Sequence, residues 1–336
     1  MTKIICVGDI HARDRAPANA HESYMDDTIE ALLWVNEFAQ HNSADAIVWA
    51  GDVFDHKLPS RTSHALVLRM IDVVHDALSR GVEIWAVVGN HDISNDVLAS
   101  ITEKQPLGVL YKAGLRELNG WHPTLPLFGV PWRQDWTTNE DSADEAFKEY
   151  REYGMRLVIG EEDIVDPEFD EILAVTHAPI YPPKEAENIQ WELVPTRGPK
   201  GISAAMGNRG FLYYGHIHED HGVFEVDGVT YANMGAISRG SMAEYNLNRK
   251  IKVAMWTEAG FEEVAVPHKP ASEVLKVVEA TAAKEERLSL DQFLTEVGSV
   301  QLDISSTASV IEHIKGRKDV DPGVRKRAIE ILEEVG

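Results

Sequence analysis

Short apolar runs alternate with stretches of helical periodicity through the first 260 residues. The apolar runs are rich in β-branched residues and end at glycine or polar residues, which predicts buried strands. They are Lys3–Val7, Ala46–Ala50, Glu83–Val88, Leu127–Val130, Ile172–Thr176 and Phe211–Tyr214. Three intervening segments have the period of a helix, namely Met25–Ala39, Ala65–Leu78 and Asp141–Ile159. This alternation predicts an α/β fold, a layered sandwich with helices packed on central β-sheets.

The apolar stripes of the first two helices indicate the faces that should be buried. The first stripe consists of Ile29, Leu32, Leu33 and Phe38. The second consists of Leu66, Met70, Val73, Val74 and Leu78. We expect both stripes to pack on the sheet.

After Gly215 the pattern changes to short strands joined by turns. Two hairpins are predicted, one around Asp227-Gly228 and one around Glu258–Gly260. The strands stop at Pro267 and Pro270, and further helices are predicted over 271–283, 290–297, 306–315 and 322–335. We therefore predict a catalytic domain over 1–267, with a strand-rich extension from about residue 220. A helical cap or partner-binding region follows over 268–336.

Five of the predicted strands end in residues that can bind a metal ion. The segments are Gly8-Asp9-Ile10-His11, Gly51-Asp52, Gly89-Asn90-His91-Asp92, His177 and Gly215-His216-Ile217-His218. Ligand sites in α/β sheets gather at the carboxyl ends of strands, so these five tips are expected to converge. Glycine precedes the first ligand in four of the five, where a sharp turn or a close backbone approach suits a residue without Cβ.

The residue types in these segments favour a divalent ion. Asp, Asn and His suit manganese, iron or zinc, and the lack of cysteine ligands disfavours a structural zinc site. Asp9 and His11 are two residues apart, as are His216 and His218, so each pair would lie on one side of an extended segment. A carboxylate such as Asp52 can bridge two ions roughly 3.5–4 Å apart, an arrangement suited to in-line phosphoryl chemistry.

In these residues the chain resembles the calcineurin-like metallophosphoesterases. Their signature Asp-x-His, Gly-Asp, Gly-Asn-His-Asp, His and Gly-His-x-His is complete and in order over residues 8–218. The resemblance implies one metal held by Asp9, His11, Asp52 and His218 and a second held by Asp52, Asn90, His177 and His216. It also implies that His91 is catalytic, meeting the scissile phosphate or the leaving oxygen, with Asp92 orienting its imidazole. Manganese is the expected metal, with iron, zinc or magnesium as alternatives.

Within that superfamily the chain is most similar to the SbcD-type DNA repair nucleases. Gly51-Asp52-Val53-Phe54-Asp55 with Pro59-Ser60 resembles their second motif, and the loop 235–240 resembles the one after their Gly-His-x-His. Three residues near the motifs are candidates for substrate binding, namely Arg13, His56 and Arg239. Arg13 departs from the SbcD pattern, and smaller phosphodiesterases of the superfamily bind phosphate with an arginine at that place. Trp132, Trp136 and Trp191 are left open between base stacking and core packing.

Charge and composition limit the partners. The chain has 32 basic and 55 acidic residues and a formal charge of −23, which opposes non-specific binding to DNA. Any DNA surface must therefore be a local basic patch. The N-terminus has no targeting pattern, no apolar run is long enough to span a membrane, and Cys6 is the only cysteine. We therefore expect a cytoplasmic protein.

These observations predict a dinuclear-metal phosphoesterase in which metal-activated water attacks phosphorus. The resemblance to the SbcD-type nucleases makes DNA ends or single-stranded DNA the leading substrate, and it implies an SbcC-type coiled-coil ATPase as a partner docked through the C-terminal helices. A homodimer is left open. The rival enzyme is a phosphodiesterase of small substrates such as cyclic nucleotides, or a phosphatase. A third hypothesis is a non-catalytic metal-fold scaffold, against which the intact His91 argues.

Overall fold

The fold is described from a computed structural model of the chain. The structure describes residues 1–14, 20–93, 101, 104–137, 141–159, 169, 171–183, 198–240, 244–276, 311, 314–316 and 322–335. The predicted helix over 290–297 lies outside these residues, as do most of 271–283 and 306–315. None of the described helices combines the length and the apolarity that a membrane crossing requires.

Two mixed sheets form the centre of the described part of the chain. In the first sheet the strand order is β12-β11-β1-β2-β3-β4. Its strands are β1 (Ile4–Val7), β2 (Ala46–Trp49), β3 (Glu83–Ala86), β4 (Arg116–Glu117), β11 (Lys252–Thr257) and β12 (Gly260–Ala265). Strands β1 to β4 run parallel, and β11 pairs antiparallel with β1. All four residues of β1 are fully buried, which explains the continuous apolar run that predicted it.

The second sheet has the strand order β5-β6-β7-β8-β10-β9. Its strands are β5 (Gly120–Trp121), β6 (Leu127–Val130), β7 (Leu173–Thr176), β8 (Gly210–Tyr214), β9 (Asp220–Val226) and β10 (Val229–Met234). Strands β6, β7 and β8 run parallel, so their carboxyl ends lie at one edge. The predicted Asp227-Gly228 hairpin is confirmed, because β9 and β10 pair antiparallel and both turn residues have positive φ, 48° and 80°.

The region after residue 220 completes both sheets. Strands β9 and β10 belong to the second sheet, whereas β11 and β12 belong to the first. The second predicted hairpin is confirmed by the antiparallel pairing of β11 with β12. The strand-rich extension is therefore built into the sandwich on both sides.

Nine helices are described, most of them between strands in the chain order. They are α1 (Tyr24–His41), α2 (His64–Ser79), α3 (Pro106–Ala113), α4 (Ser142–Ala146), α5 (Lys148–Ile159), α6 (Pro199–Ala205), α7 (Glu244–Asn248), α8 (Ala271–Val274) and α9 (Pro322–Val335) among the described residues. The helix predicted over Asp141–Ile159 is divided in two, with Phe147 between α4 and α5. Phe147 is fully buried in the core that covers the second sheet.

The predicted stripes of α1 and α2 were partly wrong. Leu33 and Phe38 are only partly buried, and the buried face of α1 runs instead through Ile29, Leu32, Val35 and Ala39. In α2 the stripe is confirmed except for its last member, because Leu78 is 40% exposed. Helical spacing allows neighbouring faces that differ by one residue, and contact with other elements decides between them.

Apolar side chains from both sheets meet in one core. Ile4, Cys6 and Val48 come from the first sheet, and Leu173 and Tyr213 come from the second. This core holds the two sheets together. Their strand tips are therefore fixed relative to each other.

The chain divides into two compact units, Met1–Val274 and Leu275–Gly336. In the second unit α9 begins at the predicted Pro322, and Val324 and Ala328 of its predicted stripe are buried with Ile314. The predicted N-cap, Asp321, lies outside the described residues. The predicted domain boundary at 267–268 stays a prediction.

Hydrogen bonds indicate where the chain can be shortened. His21 N–H donates to the carbonyl of Val274 at 2.8 Å, and the Ser23 hydroxyl donates to that of Glu273 at 3.3 Å. We therefore expect a chain ending after Val274 to unfold cooperatively and to keep its metal content, since every predicted ligand precedes residue 219. Circular-dichroism melting and elemental analysis would check this.

The matched comparison is a chain ending after Val266, which lacks both hydrogen bonds and should melt at a lower temperature. An unfolded or metal-free protein from the longer truncation would contradict the independence of the first unit.

Candidate metal centre

The five predicted segments converge at one edge of the sandwich. Three of the segments follow β1, β2 and β3 of the first sheet, and the other two follow β7 and β8 of the second. His11 N–H donates to the carbonyl of Asp52 at 2.8 Å, and His216 N–H donates to Asp9 Oδ1 at 2.9 Å. His177 Nδ1 lies 2.7 Å from the carbonyl of Ala50. These contacts link the tips both within a sheet and across the sandwich.

One group of donors comprises Asp9, His11 and His218. A ligand atom from each lies within 4.8 Å of the others. His11 Nε2 and His218 Nε2 are 2.8 Å apart, and His218 Nε2 is 3.2 Å from Asp9 Oδ2. Two ring nitrogens this close require a proton or a cation between them.

A second group comprises Asp52, His177 and His216, again with ligand atoms within 4.8 Å of one another. Asn90 belongs with them, since its Oδ1 lies 3.0 Å from His177 Nε2 and 3.1 Å from His216 Nδ1. The four side chains are those that the family resemblance assigned to one ion.

Asp52 belongs to the second group and also reaches the first, because ligand atoms of Asp52, His11 and His91 lie within 4.8 Å of one another. Its Oδ2 is 3.6 Å from His11 Nε2 in the first group and 3.3 Å from His177 Nε2 in the second. The carboxylate is 2% exposed. This position is what a bridging ligand requires.

The backbone fixes one imidazole for metal binding. A carbonyl can only accept, so His177 Nδ1 must donate to Ala50. In the neutral ring, the lone pair is then on Nε2, the atom that faces Asp52 and Asn90. Such a carbonyl partner commonly sets the tautomer of a metal-binding histidine.

Electrostatics in the cluster favour added positive charge. Burial alone would raise the pKa of Asp52, but the contact with His177 and the charges of His177, His11 and His91 together outweigh burial and hold that pKa below its ordinary value. Burial would lower the pKa of His177, yet Asp52 and Asp9 raise it to about 9. Burial and repulsion from His177 lower the pKa of His216 to about 4. Binding of a divalent ion would displace the proton on His177, so the site should load better as the pH rises.

Close packing of backbone explains two of the glycines that precede ligands. A Cβ on Gly51 would overlap the His177 imidazole, and a Cβ on Gly89 would overlap Asp52. Gly51 also has a φ of +102°, which strongly favours glycine. The predicted close approach is therefore confirmed at both positions.

Three of the predicted ligands have a strained backbone. The φ angles are +47° for His11, +47° for Asp52 and +76° for His216, in the region that L-residues rarely adopt. The prediction that Asp-x-His and His-x-His lie on extended segments was therefore wrong. Both side chains of each pair reach the cluster because the backbone turns at one of them.

His91 lies beside the first group, and its partner differs from the predicted one. Its ring is 4.9 Å from that of His11, and His91 Nδ1 donates to the backbone carbonyl of Asp55 at 2.8 Å. Asp92 instead accepts backbone N–H groups from Val53 at 3.1 Å and from Gly89 at 3.0 Å. The prediction that Asp92 orients the His91 ring was wrong, because its oxygens hold the two loops together.

The three predicted substrate-binding residues differ in position. Arg13 is 21% exposed and donates to Asp55 at 2.7 Å, and His56, 42% exposed, lies 3.3 Å from Asp55. Arg239 is 2% exposed and donates to the carbonyl of Lys269 at 2.6 Å, which is a structural contact. A substrate role is easier to reconcile with Arg13 and His56 than with Arg239.

The sequence alone leaves the role of Trp132 open and indicates none for Asp55. The Trp132 ring stacks on His216 at 5.0 Å, whereas Trp136 is buried in the core and Trp191 lies outside the described residues. No periodicity or spacing marks Trp132. Asp55 follows the bridging residue by three positions, and that adjacency is its only signal in the sequence.

A model of the calcineurin-like phosphoesterase family matches residues 2–220. The chain therefore belongs to the calcineurin-like phosphoesterases and is a metal-dependent phosphoesterase. Over 123 residues it is 32% identical to the DNA double-strand break repair protein Mre11 of Aeropyrum pernix. That match covers 34% of this chain and 29% of the relative. One crystal structure aligns with 79% of this chain and 99% of its own at 12% identity and a TM-score of 0.45.

Removal of the shared carboxylate tests the arrangement of the two groups. Asp52→Ala should lose at least one ion per chain, because Asp52 faces both groups and its charge offsets the nearby imidazoles. Elemental analysis after gel filtration would measure the loss. Asp135→Ala, which removes an exposed carboxylate paired with Arg133, is the control and should keep the wild-type content. Full retention by Asp52→Ala would refute the bridging assignment.

Proposed function

We propose that this phosphoesterase is an SbcD-type nuclease that hydrolyses phosphodiester bonds at DNA ends or in single-stranded DNA. The observation that carries the metal-dependent chemistry is the pair of donor groups on either side of Asp52. Asp9, His11, Asp52 and His218 would hold one ion, and Asp52, Asn90, His177 and His216 would hold the other.

The donor set fits two divalent ions. It contains oxygen and imidazole nitrogen without sulfur, which suits manganese, with iron, zinc or magnesium as alternatives. When bound, the ions would supply an activated water and would stabilise charge on the phosphoryl oxygens. The close ring nitrogens of His11 and His218 support the same proposal, since a cation between them would replace a shared proton.

His91 is the proposed catalytic residue. Its Nδ1–H is held by a carbonyl, so Nε2 is the atom free to face substrate. When protonated, His91 can donate a proton to the leaving oxygen or stabilise charge that develops there. Asp92 acts indirectly. It accepts a hydrogen bond from the backbone N–H of Gly89 and so fixes the loop that carries His91.

The DNA substrate is favoured by the similarity to Mre11 and by local charge. That relative is named as a protein of DNA double-strand break repair, and the similarity extends over 123 residues. On the chain segments that follow His11 and Asp52, Arg13 is partly exposed, Lys57 is half-buried and Arg61 is exposed. Such residues can hold phosphates without reading bases. A chain with a charge of −23 can bind DNA only through a local patch of this kind.

Two specific observations favour the small-substrate alternative. The overall charge of −23 disfavours a polyanion, and Arg13 lies within 2.7 Å of Asp55, next to the donor groups. A single arginine such as Arg13 can bind the one phosphate of a cyclic nucleotide. The scaffold hypothesis is disfavoured by His91, because a protein without catalysis has no need of an imidazole held beside the donors.

The proposed partner is a coiled-coil ATPase of the SbcC type, bound through the helices after residue 268. The apolar stripe of α9 includes Ile331, which is only partly buried. Such a stripe can bind in the groove of another protein. We also propose assembly as a homodimer and a cytoplasmic location.

A His91→Ala variant separates catalysis from metal binding. The rate on a small phosphodiester should fall by roughly 10²–10⁴, the range for loss of a general acid. Its metal content should stay at the wild-type value, because His91 is not one of the proposed ligands. Steady-state kinetics and elemental analysis on the same sample would measure both. His41→Ala, at a 70% exposed histidine, is the control, and near-normal turnover in His91→Ala would contradict the assignment.

A panel of substrates with Mn²⁺ tests the proposed specificity. Linear double-stranded DNA, single-stranded DNA, cyclic nucleotides and bis(p-nitrophenyl) phosphate would be compared at equal enzyme concentration. We expect cleavage of both DNA forms, with kcat/KM falling steeply as salt is raised, because phosphate contacts release counterions. Cleavage of cyclic nucleotides without cleavage of DNA would favour the alternative. No cleavage of any substrate by a protein that binds two ions would favour the scaffold.

A further inference from the structure

Trp132 lies against the candidate centre, although it is neither a proposed ligand nor part of the five segments. It follows the last residue of β6 by two positions, and its backbone N–H donates to the carbonyl of Val88 at 2.9 Å. Val88 lies two residues before Asn90. This hydrogen bond therefore joins the end of β6 in the second sheet to the segment that carries Asn90 and fixes Trp132 beside the second donor group.

The indole ring of Trp132 contacts both imidazoles of the second group. It stacks on the ring of His216, with the ring centres 5.0 Å apart and the planes inclined by 27°. It meets the ring of His177 closer to edge-on, at 6.2 Å and 69°. Offset stacking and edge contacts at such distances are the favoured arrangements of aromatic rings. One face of the His216 ring is therefore covered by the indole.

The core that covers the second sheet supports Trp132 from the other side. Trp132 is partly buried and packs against that core. Trp136, which is fully buried there, meets the Trp132 ring edge to face at 6.0 Å and 74°. Close packing leaves a side chain few alternative positions. The indole is thus held firmly enough to hold the imidazole that lies on it.

The His216 ring is held differently from that of His177. A metal-binding histidine commonly donates its second ring N–H to a carbonyl or carboxylate, as His177 does to Ala50 at 2.7 Å. Within the described ranges, the His216 ring has one contact of hydrogen-bond length, from Nδ1 to Asn90 Oδ1 at 3.1 Å, and Asn90 is itself a proposed ligand. The φ angle of +76° at His216 is also one that L-residues rarely adopt. Stacking on Trp132 is therefore the contact that fixes the plane of this ring.

We propose that Trp132 is a positioning residue that orients the His216 imidazole by stacking and shields one side of the second ion's site from water. This inference rests on the proposed function, because it takes His216 as an ion ligand. The groups that surround a metal ligand set its orientation and its access to solvent, and both change the affinity for the metal. The aromatic face of Trp132 is the feature that this role requires.

Titration of the metal-free full-length protein with MnCl₂ by calorimetry tests the inference. Wild type should bind two ions per chain. Trp132→Leu keeps an apolar side chain but removes the aromatic face. It should weaken one of the two sites by about 10–100-fold, the usual loss when a group behind a metal ligand is removed, and leave the other unchanged. Trp132→Phe, which restores an aromatic face, should recover most of the lost affinity.

Trp121→Leu is the matched control for lost packing. Trp121 is also partly buried against the core that covers the second sheet. Its ring lies near those of Phe128, Tyr150 and Tyr153, none of which is a proposed ligand. Trp121→Leu should lower the melting temperature in circular dichroism as Trp132→Leu does, because both lose apolar contacts, yet it should titrate as wild type does.

The outcomes distinguish this inference from the proposed function. A wild type that binds fewer than two ions would refute the proposed centre itself. If wild type binds two ions, three results refute the role of Trp132. They are unchanged affinity or equal weakening of both sites in Trp132→Leu, the same loss in Trp121→Leu, and no recovery in Trp132→Phe. If melting shows that Trp132→Leu is unfolded, Trp132→Met, which fills more of the space, takes its place.

Proton NMR of the histidine rings in the metal-free protein tests the stacking itself. The His216 signals are assigned by their absence from His216→Ala. In wild type the ring current of the indole should shift them upfield, and Trp132→Leu should move them downfield. The signals of His41, which is 70% exposed, should stay in place. His216 signals at the same position in wild type and in Trp132→Leu would overturn the inference without bearing on the two ions.

Discussion

The position of Asp52 is the constraint on which the rest of the centre depends. Its carbonyl accepts the N–H of His11 at 2.8 Å, and its Oδ1 accepts the N–H of His91 at 2.8 Å. Its Oδ2 faces imidazoles from both donor groups. Asp52 therefore connects the loop that carries His11, the loop that carries His91 and the second sheet. A carboxylate so buried needs compensating positive charge, which protonated imidazoles or bound cations can provide.

This arrangement is achieved at a cost in backbone strain. His11, Asp52 and His216 all have positive φ, which costs on the order of 1–3 kcal/mol each. The shared core between the sheets holds the tips in place and offsets that strain, since residues such as Ile4, Val48 and Tyr213 are fully buried there. The buried apolar side chains of this core thus keep seven polar side chains in close contact at the edge of the sandwich.

Much of this could be predicted from the sequence, for identifiable physical reasons. The strands were predicted well because parallel strands such as β1 are covered on both faces and are apolar throughout. Glycine at position 51 indicated a close approach that only a residue without Cβ permits. The exposure of Leu78, the division at Phe147 and the role of Asp92 could not be predicted, because each depends on contacts distant in sequence. The contacts of Asp55 with His11 and His91 could not be predicted for the same reason, since they arise only when three loops meet.

The proposed chemistry requires that two ions share Asp52 at the edge of the sandwich. A crystal structure of the protein grown with MnCl₂, with anomalous-difference maps recorded at the manganese absorption edge, tests it most directly. We expect two anomalous peaks roughly 3.5–4 Å apart, each in contact with an oxygen of Asp52. A single peak, or two peaks that share no carboxylate, would contradict it.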